Sequence, residues 1–175
     1  MFPEYIIRKH ISHLMSPSQE NNADSKISQW AGYLHERQIV LEAMWDVGAR
    51  GDGVGVVILS GDRHEFAATA FPPPKGSQWP LSATVHEFST SPLSMFYLPV
   101  RTYWEVEGED DVCIKYIPDG NSKFGAVVLE GVKGGEQGIL RFRLFVDGAE
   151  AWEYVLTTPP PTGVGRGRGK DAVWG

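Results

Sequence analysis

The sequence predicts an α/β (α+β) fold, in which a helix and a buried strand precede an antiparallel β region. Between Ser25 and Val47, apolar residues recur near the helical period, which indicates an amphipathic helix. The run from Val54 to Leu59 is almost continuously apolar, as is typical of a strand covered on both faces in a parallel or mixed sheet. From Tyr103 onward, apolar and polar residues alternate, which is typical of half-buried strands.

Residues 1–25 predict an N-terminal segment and a loop ahead of this helix. His10 and His13 lie three residues apart, so a helix would place them side by side, as half of a metal site or as part of a solvated face. The solvated face is favoured, because no further ligand lies at helical spacing beside them. The next helix begins after Asp24 or Ser25, both good N-caps, and is predicted to end at Gly48.

Turn signals divide the rest of the chain into short strands. Pro72, Pro73 and Pro74 end one of them, since consecutive prolines cannot donate to a ladder; we interpret this run as a surface loop rather than a peptide ligand. Asp147 and Gly148 are a strong hairpin signal. The predicted strands cover residues 65–71, 82–88, 112–116, 124–129, 140–146 and 152–156, with a polar turn at 89–92, and the last four form an antiparallel run.

One domain is therefore predicted over residues 26–157, followed by a disordered tail rich in Pro, Gly and Arg over residues 158–175. Arg166, Arg168 and Lys170 in this tail resemble a short nucleic-acid-binding segment. A solvated tail is the favoured interpretation, because three cations weigh little in a chain whose net charge is -6. Nucleic acid is not an expected partner.

Composition limits the class of protein further. No stretch approaches the about 18 apolar residues that span a bilayer, and the start of the chain lacks the regions of a signal peptide. We therefore expect no membrane association and an intracellular protein by default, in an unknown compartment. Cys113 is the only cysteine, so neither an intrachain disulfide nor a thiolate metal cluster can form.

The strand that ends at Leu59 leads into Ser-Gly, and then into a carboxylate and an imidazole separated by one residue. Asp62 and His64 are suitable ligands for Zn, Mn or Fe ions, although the bare pattern also fits a capped turn with a hydrogen-bonded histidine. Two protein ligands are too few for a tight site. His86 and Glu87 are the nearest candidates, but as neighbours in a strand they face opposite sides, so at most one joins.

Several blocks of the sequence, in this order and spacing, resemble the PhoD-like metallophosphatases of the alkaline phosphatase D type, and most closely their fungal branch. The resemblance covers residues 29–156, and its most specific part is the Ser-Gly-Asp-X-His block after an apolar strand. The matching blocks are Trp30–Tyr33, Arg37–Leu41, Val57–His64 and Glu87–Ser94.

The resemblance implies a calcineurin-like metallophosphoesterase fold, a β-sandwich flanked by helices, which hydrolyses phosphate mono- or diesters with metal ions at the strand ends. It implies that Asp62 and His64 are metal ligands, for divalent or trivalent Fe, Ca, Mn or Zn. Arg63, beside them, and Arg37 are expected to have supporting catalytic roles, and Glu87 a supporting role.

The sequence departs from the family in what precedes Gln29. The earlier family blocks, which supply most of the metal ligands, are not visible there, and we expect the C-terminal half of the fold alone. The metal site would then be incomplete and the hydrolase activity weak or absent. The alternative is a non-catalytic interaction module whose exposed half-fold is covered by a second copy of the chain or by a partner chain.

Overall fold

The computed structural model describes residues 34–61, 65–91, 93, 110–131 and 137–161, and these form one helix, one 3-10 turn and seven strands. The described part of the chain is thus a mixed α/β structure, as predicted, and most of its elements are strands. The elements are α1 (Leu34–Gly48), β1 (Val57–Ser60), β2 (Phe66–Phe71), the 3-10 turn (Leu81–Ala83), β3 (Val85–Thr90), β4 (Val112–Ile117), β5 (Lys123–Gly131), β6 (Gly138–Val146) and β7 (Ala149–Thr157).

The first sheet has four strands in the order β1-β3-β2-β4. β1 runs parallel to β3, whereas β2 is antiparallel to both β3 and β4, so the predicted mixed sheet is confirmed. The register places Ser60 opposite Ser89, and Phe66 between Thr90 and Ile117. The end of β1, the end of β3 and the start of β2 therefore meet at one end of this sheet.

Two predictions about these strands are wrong in detail. β1 is only partly covered on one face: Val57 packs against the cluster between the sheets, but Leu59, on the same face of the strand, is 52% exposed. Ser89 and Thr90, predicted to begin a polar turn, continue β3, because their backbones pair with Ala67 and Phe66. Backbone pairing does not require apolar side chains, so a polar strand end is not visible in the apolar pattern.

Helix α1 covers one face of the first sheet. Leu41 and Trp45 pack against Ile58, Phe71 and Val85, and the Trp45 indole N–H donates to the Phe71 carbonyl at 3.0 Å. A Cβ atom on Gly48 would lie 3.0 Å from Cα of Ala83, so the absence of a side chain allows the helix end to approach the 3-10 turn.

The second sheet is antiparallel, in the order β5-β6-β7. The predicted run of about four strands is therefore divided, since β4 pairs with β2 in the first sheet instead. The predicted hairpin between β6 and β7 is confirmed: Asp147 and Gly148 have φ angles of 49° and 85°, as a tight two-residue turn requires.

Aromatic side chains fill the space between the two sheets. Phe88 stacks on Phe142 with ring centroids 4.3 Å apart, and Phe66 contacts both Phe142 and Trp152. A Cβ on Gly125 would lie 2.6 Å from the Phe142 ring, so this glycine of β5 makes room for the stack. The first sheet is thus covered by α1 on one face and by the second sheet on the other.

Candidate functional site

The predicted metal ligands belong to the connection between β1 and β2. Asp62, Arg63 and His64 lie outside the described residues, as do His10 and His13 and the basic residues of the tail. Gly61 and Glu65, at the two ends of the connection, are described. Because β3 lies between β1 and β2 in the sheet, both ends of the connection stand beside the end of β3.

At the first end of the connection, β1 finishes in a hydrogen bond to a buried carboxylate. The Ser60 hydroxyl donates to Oε1 of Glu87 at 2.7 Å, and Glu87 has no exposed surface. Glu87 lies within β3, in register with Ile58 on one side and Thr69 on the other. The last residue of β1 is therefore fixed by its side chain as well as by the sheet ladder.

The backbone immediately after Ser60 passes close to β3. A Cβ added at Gly61 would lie 3.3 Å from the carbonyl oxygen of Thr90, tighter than most such contacts. The missing side chain at Gly61 thus lets the connection leave β1 against the end of β3.

At the second end, another buried carboxylate precedes β2. Glu65 is 3% exposed, and its Oε1 accepts a hydrogen bond from the Tyr116 hydroxyl at 2.6 Å. Tyr116 belongs to β4 and is opposite Ala67 of β2. Glu87 of β3 thus accepts a hydrogen bond from Ser60, just before the connection, and Tyr116 of β4 donates one to Glu65 at its other end.

Lys123 adds a buried positive charge to this end of the molecule. It is 1% exposed, and its ammonium group donates to the carbonyls of Pro118 and Gly120 at 3.3 and 2.6 Å. Burial lowers the pKa of Lys123, and the nearby negative charges of Asp147 and Glu65 partly oppose that shift. Lys123 thus places a positive charge near Glu65.

His86 and Glu87 face opposite sides of β3, as predicted. Val85 packs in the cluster beneath α1 and Phe88 in the cluster between the sheets, so the alternation places Glu87 on the helix side and His86 on the side of the second sheet. His86 is buried, and this burial lowers its pKa to about 4, so the imidazole is neutral near pH 7.

Arg37 of α1 forms a buried ion pair. Its guanidinium donates to Oδ2 of Asp111 at 2.6 Å, and it lies over the ring of Phe71, 5.4 Å from the centroid. Phe71 ends β2 and Asp111 precedes β4, so these contacts involve the end of the first sheet opposite Glu65. The predicted supporting role of Arg37 in catalysis stays a prediction.

The comparisons with known proteins assign the family. The model of the PhoD-like phosphatases matches residues 6–131, which is most of the chain. The chain belongs to the PhoD-like phosphatase family. Searches of curated proteins and of solved structures give no significant match. No helix in the described part of the chain is both long and apolar enough to cross a bilayer.

PhoD-like phosphatases are generally metal-dependent. Asp62 and His64 have the chemistry of metal ligands. Outside that connection, the described residues contain no group of three or more His, Cys, Asp or Glu side chains arranged to hold an ion. Asp62 and His64 thus fit a metal ion in kind, but on their own they are fewer ligands than a tight site uses.

Tyr116 and Lys123 are not predicted from the sequence. The Tyr116–Glu65 bond joins residues 51 positions apart, and alternation in β4 indicates a strand but not its partner. Lys123 had one usable signal: it is a charged residue at the start of an apolar run, directly after the turn around Gly120. A cation at such a place is usually solvated, so the pattern alone does not predict its burial.

Proposed function

We propose that the chain supplies part of the active site of a metal-dependent phosphatase that hydrolyses phosphate mono- or diesters. The family match over residues 6–131 carries this proposal. The partly buried Ser60–Glu87 and Tyr116–Glu65 hydrogen bonds support it, because they lie at the two ends of the connection that contains Asp62 and His64. The wider fold that we propose is the calcineurin-like sandwich.

In this proposal Asp62 and His64 hold a metal ion, which is Fe, Ca, Mn or Zn. A bound ion of this kind supplies Lewis acidity and lowers the pKa of a coordinated water. Arg63, between the two ligands in sequence, interacts with the phosphoryl oxygens through its fixed positive charge. Arg37 is held by Asp111 and Phe71 at the opposite end of the first sheet, so it does not contact the phosphoryl group in this proposal.

Hydrolysis of p-nitrophenyl phosphate and of bis(p-nitrophenyl) phosphate tests the proposal. We expect weak turnover that requires added Mn²⁺, Fe²⁺, Zn²⁺ or Ca²⁺, because two ligands bind an ion poorly. Asp62→Ala and His64→Ala should abolish it, whereas Asp110→Ala, at an exposed carboxylate, should not change it. Equal turnover in wild type and Asp62→Ala contradicts the proposal, and robust turnover lost in Asp62→Ala contradicts the expectation of an incomplete site.

A second candidate function is an interaction module, and the exposure of β5 favours it. Val128 and Leu129 of this strand are 44% and 74% exposed, and β5 is an edge strand of the second sheet as described. A long apolar edge strand is a template for pairing with another strand. We propose a second copy of the chain as the occupant, with β5 paired to β5.

Light scattering over a concentration series tests this second candidate. A dimer that Leu129→Glu converts to a monomer is the expected result, because a buried charge would disrupt the apolar pairing. Leu81→Glu is the matched control, since Leu81 is an exposed leucine in the 3-10 turn. A monomer at every concentration contradicts this function and leaves the phosphatase proposal unaffected.

A further inference from the structure

The loop between β2 and the 3-10 turn forms a groove, and one wall of this groove is an indole ring. Two cavities, of about 370 and about 540 Å³, meet at Gln78 and Trp79, which line both of them. The larger cavity is lined mainly by apolar residues of the loop, among them Pro73, Pro74 and Pro80. Trp79 is half-buried, so part of its side chain is open to a ligand.

Hydrogen bonds and ring packing hold the walls of this groove in place. The Trp79 indole N–H donates to Oδ1 of Asp46 at 2.7 Å, and the Trp79 ring packs on Trp45, with centroids 5.3 Å apart. Trp45 is itself buried in the core beneath α1. Within the loop, the Ser77 amide donates to the Pro74 carbonyl at 3.1 Å. Because these residues are already fixed, little ordering is needed when a ligand binds.

The lining of the groove indicates the chemistry of its ligand. Aromatic grooves bind extended proline-rich segments, which lose little conformational entropy because their backbone is already restricted. The charges on the lining are mixed, since Asp46 is accompanied by Arg50 and Lys75, and they favour neither an acidic nor a basic ligand. An uncharged run of prolines therefore fits this groove.

The chain carries such a run directly after β7. Residues 159–161 are three consecutive prolines, of which Pro160 is exposed and the other two are half-buried. The base of the run is fixed, because the Thr158 amide donates to the Gly138 carbonyl at 2.8 Å and the Thr158 carbonyl accepts from the Gln137 side chain at 2.7 Å. At about 3.1 Å per residue, the three prolines extend over roughly 9 Å. A cavity of about 540 Å³ can accommodate a run of this length.

We propose that the groove around Trp79 binds the proline run, residues 159–161, of a second copy of this chain. Within one chain, none of these prolines lines either cavity. The contact joins two different surfaces, so it is head-to-tail and distinct from the symmetric β5–β5 pairing. It is also independent of the phosphatase proposal. Three docked side chains bind weakly, so the dissociation constant should be on the order of 0.1–1 mM.

The NMR signal of the Trp79 indole N–H, followed in the full chain from about 0.05 to about 1 mM, tests this contact. The parent chain carries Leu129→Glu, so that β5 pairing does not contribute, and the Trp79 signal is the one that Trp79→Phe removes. We expect this signal to shift with concentration. Replacing residues 159–161 together by alanine should weaken the association at least about 10-fold and remove the shift, because alanine lacks the ring and the fixed backbone of proline.

Synthetic peptides supply a matched control. Thr-Thr-Pro-Pro-Pro, which repeats residues 157–161, should shift the Trp79 signal of the alanine-substituted chain, whereas Thr-Thr-Ala-Ala-Ala should not. Both peptides are blocked at their ends, so neither carries a charge, and added salt should leave the affinity unchanged. Circular dichroism verifies folding, and only variants with the parent spectrum are compared.

The other outcomes overturn the inference. A Trp79 signal that does not move with concentration excludes docking of a second copy. If that signal nevertheless differs between the parent and the alanine-substituted chain, the run of the same chain occupies the groove. A shift with concentration that persists after alanine substitution assigns the contact to another surface. None of these outcomes alters the phosphatase proposal, which is measured by turnover.

Discussion

The two sheets differ in where they place their polar side chains. In the first sheet, β2 and β3 are buried along almost their whole length, and the buried residues include His86 and Glu87. In the second sheet, polar and apolar residues alternate, and the charged ones pair on the exposed side, as Arg141 does with Glu153. The first sheet carries polar groups in its interior, whereas the second, apart from Lys123 at the start of β5, carries its charged groups in solvent.

This difference indicates which sheet carries the polar groups that are costly to bury. An exposed ion pair costs the fold little, whereas a buried carboxylate or imidazole must be stabilised by its surroundings. Glu65 and Glu87 are both buried carboxylates, so both must be stabilised by their surroundings. Glu65 stands at one end of the Asp62–His64 connection, and Glu87 accepts a hydrogen bond from Ser60 just before the other end. The second sheet contributes mainly the aromatic layer that supports the first.

The largest expected effect comes from the place where the two sheets meet. Phe142 lies between Phe66 and Phe88 and is 1% exposed. Phe142→Ala should lower the free energy of unfolding by about 4 kcal/mol, because it opens a cavity in the shared core. Urea denaturation measures this. Phe145→Ala, on the half-exposed side of the same strand, is the control, and an equal loss there would show that the two faces of β6 do not differ.

The buried ion pair of the first sheet should come next. Asp111→Asn leaves the Arg37 charge buried without its partner, so we expect a loss of about 3 kcal/mol in unfolding free energy. Asp110→Asn, at the exposed neighbour, should have no measurable effect in the same denaturation experiment. Similar values for the two variants would mean that the Arg37–Asp111 pair does not stabilise the sheet.

His86 should make the first sheet sensitive to acid. Its pKa is about 4 in the folded chain and 6.5 as a free side chain, so between these values the unfolded state binds more protons. Stability from this group is complete above pH 6.5 and falls as the pH drops toward 4, by about 3 kcal/mol in total. Unfolding free energies measured across this range should fall less steeply for His86→Gln than for the wild type. His35→Gln, at an exposed histidine of α1, is the comparison variant that also removes one histidine.

The smallest effect is expected on the exposed side of the second sheet. Glu150→Gln and Glu153→Gln break the ion pairs with Arg143 and Arg141. Thermal unfolding midpoints should stay at the wild-type value, because exposed pairs are screened by water and salt. A clear drop at low salt that disappears at high salt would show that these pairs do stabilise the sheet, and would weaken the contrast between the two sheets.

Local patterns in the sequence predict the elements but not how they are joined. The period of the apolar residues identifies α1 and β6, and the Asp147–Gly148 turn identifies the hairpin. The pairing of β4 with β2 is not predictable in this way, since alternation is the same whichever sheet a strand joins. The Arg37–Asp111 pair, 74 residues apart, is equally beyond a local pattern.

The candidate site follows the same division. Asp62 and His64 stand out because their types and spacing are local features of the sequence. The groups that hold the ends of their connection, Glu87 and Tyr116, come from strands that only the folded sheet brings near. The candidate ligands are therefore predictable from the sequence, whereas the contacts at the two ends of their connection are not.

The strand order of the first sheet also bears on how the chain folds. Because β3 lies between β1 and β2, these two strands do not pair with each other in the native sheet. β3 must therefore take its place between them before either strand is fully paired. The β6–β7 hairpin needs only its own two-residue turn, and such hairpins form in about 1–10 μs, whereas non-local pairing is slower. During refolding the β6–β7 hairpin should thus acquire protected amides early, and the amides of β1, which pairs only with β3 among the described strands, should be among the last to be protected.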